Sequence, residues 1–237
     1  MTDTLPRGED KVRAVRAMFD TIAPRYDLVN RVMTFGLDGR WRRATVSALR
    51  LPAGSLVLDV ACGTGDLCRQ LAAAGHRAVG VDLSAGMLAH GRAGGAPLVQ
   101  GDALSLPLAA GAVDGAVSGF ALRNVADLGM LFAELARVVR PGGRVSLLEV
   151  AVPTNPLLRA GHKAWFEVAV PRIGGALSDA AAYRYLPRSV AYLPPPPDMV
   201  AALEGAGFVD ARRSTLSAGI TQLLTATRRG GAQPGGR

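Results

Sequence analysis

The stretch richest in chemistry is Leu58-Asp59-Val60-Ala61-Cys62-Gly63-Thr64-Gly65-Asp66-Leu67, an apolar run that turns through two glycines into a helix-forming segment. Gly63 and Gly65 carry no side chain, so a ligand can approach the backbone where a helix start leaves N–H groups unpaired. The third glycine of a dinucleotide fingerprint would fall at Cys68, so NAD fits poorly. Asp82 ends the next apolar run, and a carboxylate there can accept both ribose hydroxyls of an adenosine in a charge-assisted, two-bond contact. Asp102, in Gln100-Gly101-Asp102-Ala103, follows a third short run. It can take a hydrogen bond from an adenine amino group while the Ala103 N–H meets the ring. A Gly-x-Gly by itself is explained by a plain strand–helix turn. Its register with Asp82 and Asp102 favours a ligand, with Asp59, Thr64 and Gly119 as further groups of the same site.

These residues need a frame that brings the strand ends to one edge. Leu56–Val60, Ala78–Val81, Leu98–Val99, Val113–Ser118 and Val145–Val150 read as strands. Helical spacing marks Asp10–Ile22, a stretch from Leu28 through Trp41, Asp66–Ala74, a segment capped by Ser84 and running to Arg92, and Asp127–Val139, which Pro141-Gly142-Gly143 stops. Strands alternating with such helices imply a mainly parallel sheet covered on both faces. Between Pro153 and Pro197 the alternation fails, which predicts a mostly helical insertion closed by an extended segment at the tetraproline Pro194–Pro197. A helix at Met199–Ala206 and strands at Phe208–Arg213 and Gly219–Thr227 follow, the last expected to be antiparallel. The expected organisation is one α/β unit over 1–237. It has a helical N-terminal segment (1–50) with a loose start over 1–10, a ligand-binding core (51–150), the insertion (153–197), C-terminal helix and strands (198–227) and a disordered tail (228–237).

In this order the glycine loop, Asp82 and Asp102 resemble a class I S-adenosylmethionine-dependent methyltransferase. Other segments are more specific. Met18-Phe19-Asp20-Thr21-Ile22-Ala23-Pro24-Arg25-Tyr26-Asp27-Leu28-Val29-Asn30, Met33-Thr34-Phe35-Gly36-Leu37-Asp38, Phe120-Ala121-Leu122-Arg123-Asn124-Val125, Val138-Val139-Arg140-Pro141-Gly142-Gly143 and Tyr183-Arg184-Tyr185-Leu186-Pro187-Arg188-Ser189 are similar to motifs of the ubiquinone/menaquinone C-methyltransferase family. The resemblance runs from about residue 16 to 227. It implies a Rossmann-like seven-stranded sheet, S-adenosylmethionine as cofactor and a prenylated quinol as substrate, methylated on a ring carbon. Asp38 stands where many members have His, Ala121 where they have Gly, and Gly119 where a serine is usual. Carbon is a poor nucleophile until a ring hydroxyl ionises, so the site must hold the carbon in line and favour the phenolate. On the resemblance, Arg123 favours the phenolate, Asn124 orients the ring oxygen, Asp27 is a candidate base, and Tyr26 and Asn30 close over cofactor and substrate. A plain ion pair holding its loop is the competing reading of Arg123. Asp38 and the arginine-heavy composition are similar to actinobacterial members, which favours demethylmenaquinol over a ubiquinone precursor.

Composition sets the outer bounds. The chain has 237 residues, 49% hydrophobic and 19% charged, enough to bury a large core without disulfides or structural metal. Cys62 and Cys68 make neither a zinc site nor a disulfide framework, no run is apolar enough to span a bilayer, and the N-terminus lacks a signal-peptide core. These features place the expected location in the cytoplasm. The net charge of +8 comes almost wholly from arginine, which fits either a GC-rich genome or attraction to phosphate. Methylation of nucleic acid would need an Asn/Asp-Pro-Pro-aromatic loop where Gly119–Asn124 stands. Two other readings stay open: a cofactor-binding partner without turnover, and a methyltransferase for a soluble phenol. A bilayer-dwelling substrate would bring the enzyme transiently to the inner membrane surface, as a monomer or a homodimer. His76, His90 and His162 read as surface groups, and Trp165 and Phe166 as core residues or as residues that line a prenyl channel or touch the bilayer.

Overall fold

The structure is a computed structural model that describes residues 7–91 and 94–230. Of the ends expected to be loose, 1–10 and 228–237, residues 1–6 and 231–237 lie outside the described residues, and Arg228 belongs to the last strand. Helix α1 (Gly8–Ile22) starts earlier than expected, taking in residues assigned to the loose start, with Glu9 and Asp10 in its first turn where the helix dipole favours negative charge. Pro24 lies in a 3-10 turn, Ala23–Arg25, which passes into α2 (Tyr26–Met33). The single helix expected from Leu28 through Trp41 is two: α3 (Asp38–Ala48) begins after a turn in which Phe35 and Gly36 take left-handed φ of 52° and 72°. A phenylalanine in that region gives no sequence warning of a break.

The alternating core follows as β1 (Leu56–Val60), α4 (Asp66–Ala73), β2 (Arg77–Asp82), α5 (Ala85–Ala89), β3 (Leu98–Gln100), β4 (Val113–Gly119), α6 (Leu128–Val138) and β5 (Val139–Val150). Ser84 caps α5 by accepting the Met87 N–H at 3.0 Å, although the helix ends at Ala89 and Arg92 lies outside the described residues. Pro141-Gly142-Gly143 does not lie between helix and strand as expected. α6 passes directly into β5, and these three residues form an irregularity within it, so the pairing with β4 jumps from Val113↔Val139 to Gly115↔Arg144. Glycine at 143 is needed there, because a Cβ would lie 2.5 Å from the Asp114 carbonyl.

The insertion forms α7 (Pro156–Ala164), a π-helical turn (Trp165–Ala169), α8 (Val170–Leu177) and α9 (Ala180–Ser189). The tetraproline is not an extended closure throughout. Pro196 and Pro197 open α10 (Pro196–Gly205), using the positions where a missing N–H costs nothing. Strands β6 (Phe208–Leu216) and β7 (Thr221–Arg228) complete a seven-stranded sheet of order β3-β2-β1-β4-β5-β7-β6. The first five strands are parallel and β7 runs antiparallel to both neighbours.

Strand periodicity sorts the core into two layers. Leu58, Ala116 and Leu147 pack with Leu131 and Leu135 of α6 and Leu203 of α10, while Val57 and Val117 pack on the other face with Leu67 and Leu71 of α4 and Val46 of α3. The order reverses between β1 and β4, so a crevice opens at their carboxyl ends. No helix among the described residues is long and apolar enough to cross a membrane.

Candidate active site

The crevice holds a cavity of about 110 Å³ walled by Ala61 and Gly63 after β1, Asp82 to Ser84 after β2, Gly101 to Leu104 after β3 and Gly119 to Ala121 after β4. Ala61, Gly63 and Gly65 take left-handed φ of 54°, 56° and 83°, winding the loop so that Gly65 becomes the N-cap of α4. The Gly63 N–H donates to Asp82 Oδ2 at 2.7 Å and the Ser84 N–H to Oδ1 at 2.8 Å. Each carboxylate oxygen keeps a lone pair for a diol. Burial raises the Asp82 pKa, and the two backbone donors oppose the shift. Asp102 accepts the Leu104 N–H at 2.9 Å and, with Ala103, lines the far end of the cavity.

Helix α1 covers this cavity with Val12, Val15, Arg16 and Phe19 and is anchored by a residue that sequence reasoning did not single out. Asp20 accepts from the Ser84 hydroxyl at 2.5 Å and from the Gly86 N–H at 2.9 Å. These bonds hold its pKa below the usual carboxylate value, with the Ser84 hydroxyl the largest cause. Close approach requires glycine at 86, where a Cβ would lie 2.9 Å from Asp20 Cα.

A second cavity, about 390 Å³, lies between α1, α2, α3, the end of β5 and the insertion helices. Its lining is largely apolar: Met18, Ile22, Met33, Trp41, Leu157, Trp165, Phe166 and Leu186. Phe19, Tyr26 and Phe120 line both cavities and so form the partition between them. Phe120 has φ 61°, and a phenylalanine held in this region is strained unless the surroundings fix it. Its N–H donates to the Leu148 carbonyl at 2.7 Å, its carbonyl accepts from Arg123 Nη1 at 2.9 Å, and the Arg42 guanidinium lies 5.9 Å from its ring.

Arg123 lines the apolar cavity and is paired with Glu149, which is fully buried. Glu149 also accepts the N–H groups of Arg123 at 3.1 Å and Val150 at 2.8 Å, tying the Leu122–Asn124 turn to β5. The ion pair entertained for Arg123 is therefore present, and the side chain still faces the cavity wall. Arg42 is a second buried arginine there. Its Nη2 lies 3.2 Å from Asp66 and its Nε 3.7 Å from Asp38, which also accepts from the Thr34 hydroxyl at 3.0 Å. Among the arginines around Trp41, nothing local in sequence distinguishes the buried one.

The other expected site residues divide. Gly63, Asp82, Asp102, Ala103, Gly119 and Asn124 meet at the smaller cavity, Asn30 lines the larger, and Tyr26 lines both. Asn124, expected to orient the substrate, is on the small-cavity side, where Tyr185 donates to it at 3.4 Å. Asp27 lines neither cavity. It accepts the Thr64 hydroxyl at 2.6 Å and fastens α2 to the glycine loop. Asp59 is also absent from the walls, buried beneath the loop with Cys68 Sγ at 3.4 Å. Desolvation pushes its pKa up to about 7, and its Oδ1 has no hydrogen-bond partner. Burial likewise raises the thiols of Cys62 and Cys68. His162 is no surface group: it lines the apolar cavity and stacks on Phe166 at 4.9 Å.

This crevice and sheet order define the fold of the class I S-adenosylmethionine-dependent methyltransferases. Among solved structures, the chain is similar to Haemonchus contortus phosphoethanolamine N-methyltransferase 2 bound to phosphomonomethylethanolamine and S-adenosylhomocysteine. The TM-score is 0.60 at 16% identity, over 80% of this chain and 52% of that one. A TehB-like S-adenosylmethionine-dependent methyltransferase from Corynebacterium glutamicum matches with a TM-score of 0.55 at 16% identity, over 80% and 88%. The profile of the ubiE/COQ5 methyltransferase family matches residues 7–228, and the chain belongs to that family. It is 45% identical to the ubiquinone/menaquinone biosynthesis C-methyltransferase of Syntrophotalea carbinolica, covering 90% of this chain and 93% of that one. It is 43% identical to the demethylmenaquinone methyltransferase of Mycolicibacterium vanbaalenii, over 90% and 94%. A further demethylmenaquinone methyltransferase, from Roseiflexus sp., is 41% identical over 97% and 99%.

Proposed function

We propose that this enzyme transfers a methyl group from S-adenosylmethionine to a ring carbon of demethylmenaquinol. The observation that carries this reading is the pair of cavities sharing one aromatic partition, the smaller furnished for an adenosine and the larger apolar. The residues present fit the cofactor. Asp82 would take the ribose, Asp102 and Ala103 the adenine, and the side-chain-free Gly63 the close approach at the loop. Phe19, Tyr26 and Phe120 present the electron-rich rings that suit a sulfonium. When bound, S-adenosylmethionine supplies an electrophilic methyl group.

The chain's own residues supply orientation, dryness and charge. The apolar lining excludes water from the ring and accepts the first isoprene units of the tail. Arg123 favours the ionised hydroxyl, because a guanidinium in a low-dielectric wall lowers the energy of a phenolate more than water-screened charge would. Glu149 holds that guanidinium in place and offsets part of its charge. Asp27 acts through the Thr64 loop as a positioning residue, and Tyr26 and Asn30 border the ring. The phenolic proton leaves to solvent as the carbon becomes nucleophilic; once the carbon carries the methyl group it loses its hydrogen as a proton, and the oxygen regains one, so aromaticity is restored and one proton is released per turnover. A lipid-soluble substrate brings the enzyme to the membrane surface as a peripheral visitor. A homodimer is compatible with this chemistry and is not required by it.

The test is transfer of labelled methyl to short-chain demethylmenaquinol in detergent, beside the matching ubiquinone precursor and a soluble phenol. Turnover confined to the naphthoquinol supports the reading. Turnover on the benzoquinol or phenol alone reassigns the substrate, and intact cofactor binding without any turnover overturns the proposal.

A further inference from the structure

The larger cavity opens beside an apolar rim that no described residue covers. Phe35 is 73% exposed at the tip of the α2–α3 turn, and Leu157 is 81% and Leu158 46% exposed on α7. All three also line the cavity. The Phe35 ring lies 4.7 Å from that of Trp165, which joins the turn to the insertion across the opening. Leu28 and Val32 extend the exposed stripe along α2, and α7 buries none of its residues. A cluster of large apolar side chains in water is costly unless a partner covers it.

Charge selects the partner. Arg31 on α2 and Lys163 on α7 are exposed, as is Arg159 on α7, which donates to the Pro153 and Thr154 carbonyls. Between Ala151 and Phe166 there is no acidic residue, the exposed Glu167 following in the π-helical turn, and Asp38, the nearest acid of the α2–α3 turn, is turned inward toward Arg42. A short helix with leucines at its start, basic groups near its end and aromatic rings following it has the makeup of a segment that lies in a lipid interface. A protein partner would be matched by polar variety around the rim; an anionic headgroup layer needs only apolar tips flanked by positive charge.

We propose that the Phe35 turn and α7 form the face that docks on an anionic membrane, placing the mouth of the apolar cavity against the lipid. The inference rests on the quinol reading and specifies where the substrate's tail enters. Phe35, Leu157 and Leu158 enter the headgroup–acyl boundary, Arg31 and Lys163 meet the headgroups, and a prenyl chain passes into the cavity without crossing water.

The experiment is co-sedimentation of the full chain with vesicles of phosphatidylglycerol and phosphatidylcholine in equal parts, and with phosphatidylcholine alone. Binding to the anionic vesicles, released by high salt, is expected, with little binding to the neutral ones. The double variant Arg31→Gln/Lys163→Gln should weaken binding about 30-fold, since each basic residue at such a surface contributes about 1 kcal/mol. Phe35→Ser/Leu157→Ser should reduce it further at any salt. Arg31→Gln/Lys163→Gln should retain turnover on short-chain quinol in detergent. Wild type that ignores anionic vesicles, variants that bind as well as wild type, or a solution dimer that shields Phe35 and Leu157 would each overturn the docking face. Such a failure with turnover intact strikes only this inference, whereas lost turnover with vesicle binding intact strikes the quinol reading.

Discussion

Replacing Arg123 by Met removes the partner of a carboxylate with no solvent exposure, since Glu149 is 0% and Arg123 only 7% exposed. Breaking such a buried pair from one side costs about 3–5 kcal/mol, because the remaining charge is uncompensated. In a domain of this size that corresponds to a fall in melting temperature of roughly 6–20 °C. A bare loss of activity in Arg123→Met therefore says nothing about chemistry. Adding Glu149→Gln removes the stranded charge and keeps one carbonyl oxygen, enough for one of the two N–H groups, of residue 123 and Val150, that bond to different oxygens of Glu149. The double variant should recover part of the lost stability by urea unfolding. Its methyl transfer should still lie about 100-fold or more below wild type, the scale on which one electrostatic stabiliser of a developing anion counts. Cofactor affinity, measured by calorimetry, should be near wild type in both. Recovery of turnover together with stability would show that Arg123 only braces its loop, and would refute its role toward the phenolate.

Other consequences follow from the same geometry. Asp59 binds its proton more tightly folded than unfolded, so its contribution is present below about pH 4 and lost as pH rises to about 7; Asp59→Asn should flatten that part of the stability–pH curve, and an unchanged slope in urea titrations would reject the assignment. Gly86→Ala places a Cβ against the Asp20 backbone, so α1 should lift from the α5 start and S-adenosylhomocysteine should bind at least tenfold more weakly while the far-ultraviolet spectrum is kept. Asp82→Asn exchanges a charge-assisted diol contact for a neutral one, expected to weaken the same ligand about 10- to 100-fold; wild-type affinity would remove Asp82 from the ribose site.

Local pattern carried the sheet and the cofactor loop, because strand ends and glycine turns are determined by neighbouring residues. Asp82 ends β2 and Asp102 lies two residues past β3, so reading the strands sufficed to bring them to one edge. The break at Phe35 and Gly36 escaped because the helical spacing of the apolar residues runs through it, although Gly36, whose N–H returns to the Arg31 carbonyl at 2.9 Å, is the kind of glycine that ends a helix. Pro141-Gly142-Gly143 looked like a connection, yet pairing with β4 continues across it. The apolar site was harder still. Glu149 meets Arg123 across the fold, and Arg42 gains its importance from Asp66 at the start of α4. Such partners are set by topology, and no spacing announces them. Asp27 is the opposite case: a carboxylate in a promising motif lines neither cavity and accepts from the Thr64 hydroxyl, a partner that spacing does not announce.

In the proposed reaction methyl donor and acceptor touch where Phe19, Tyr26 and Phe120 border both cavities. A crystal structure with S-adenosylhomocysteine and a short-chain demethylmenaquinol tests it most directly. The expected complex has the ribose on Asp82, the quinol ring in the apolar cavity with an oxygen facing Arg123, and the ring carbon opposite the sulfur. A ring bound outside that cavity, or separated from the sulfur by an intact aromatic wall, would contradict it.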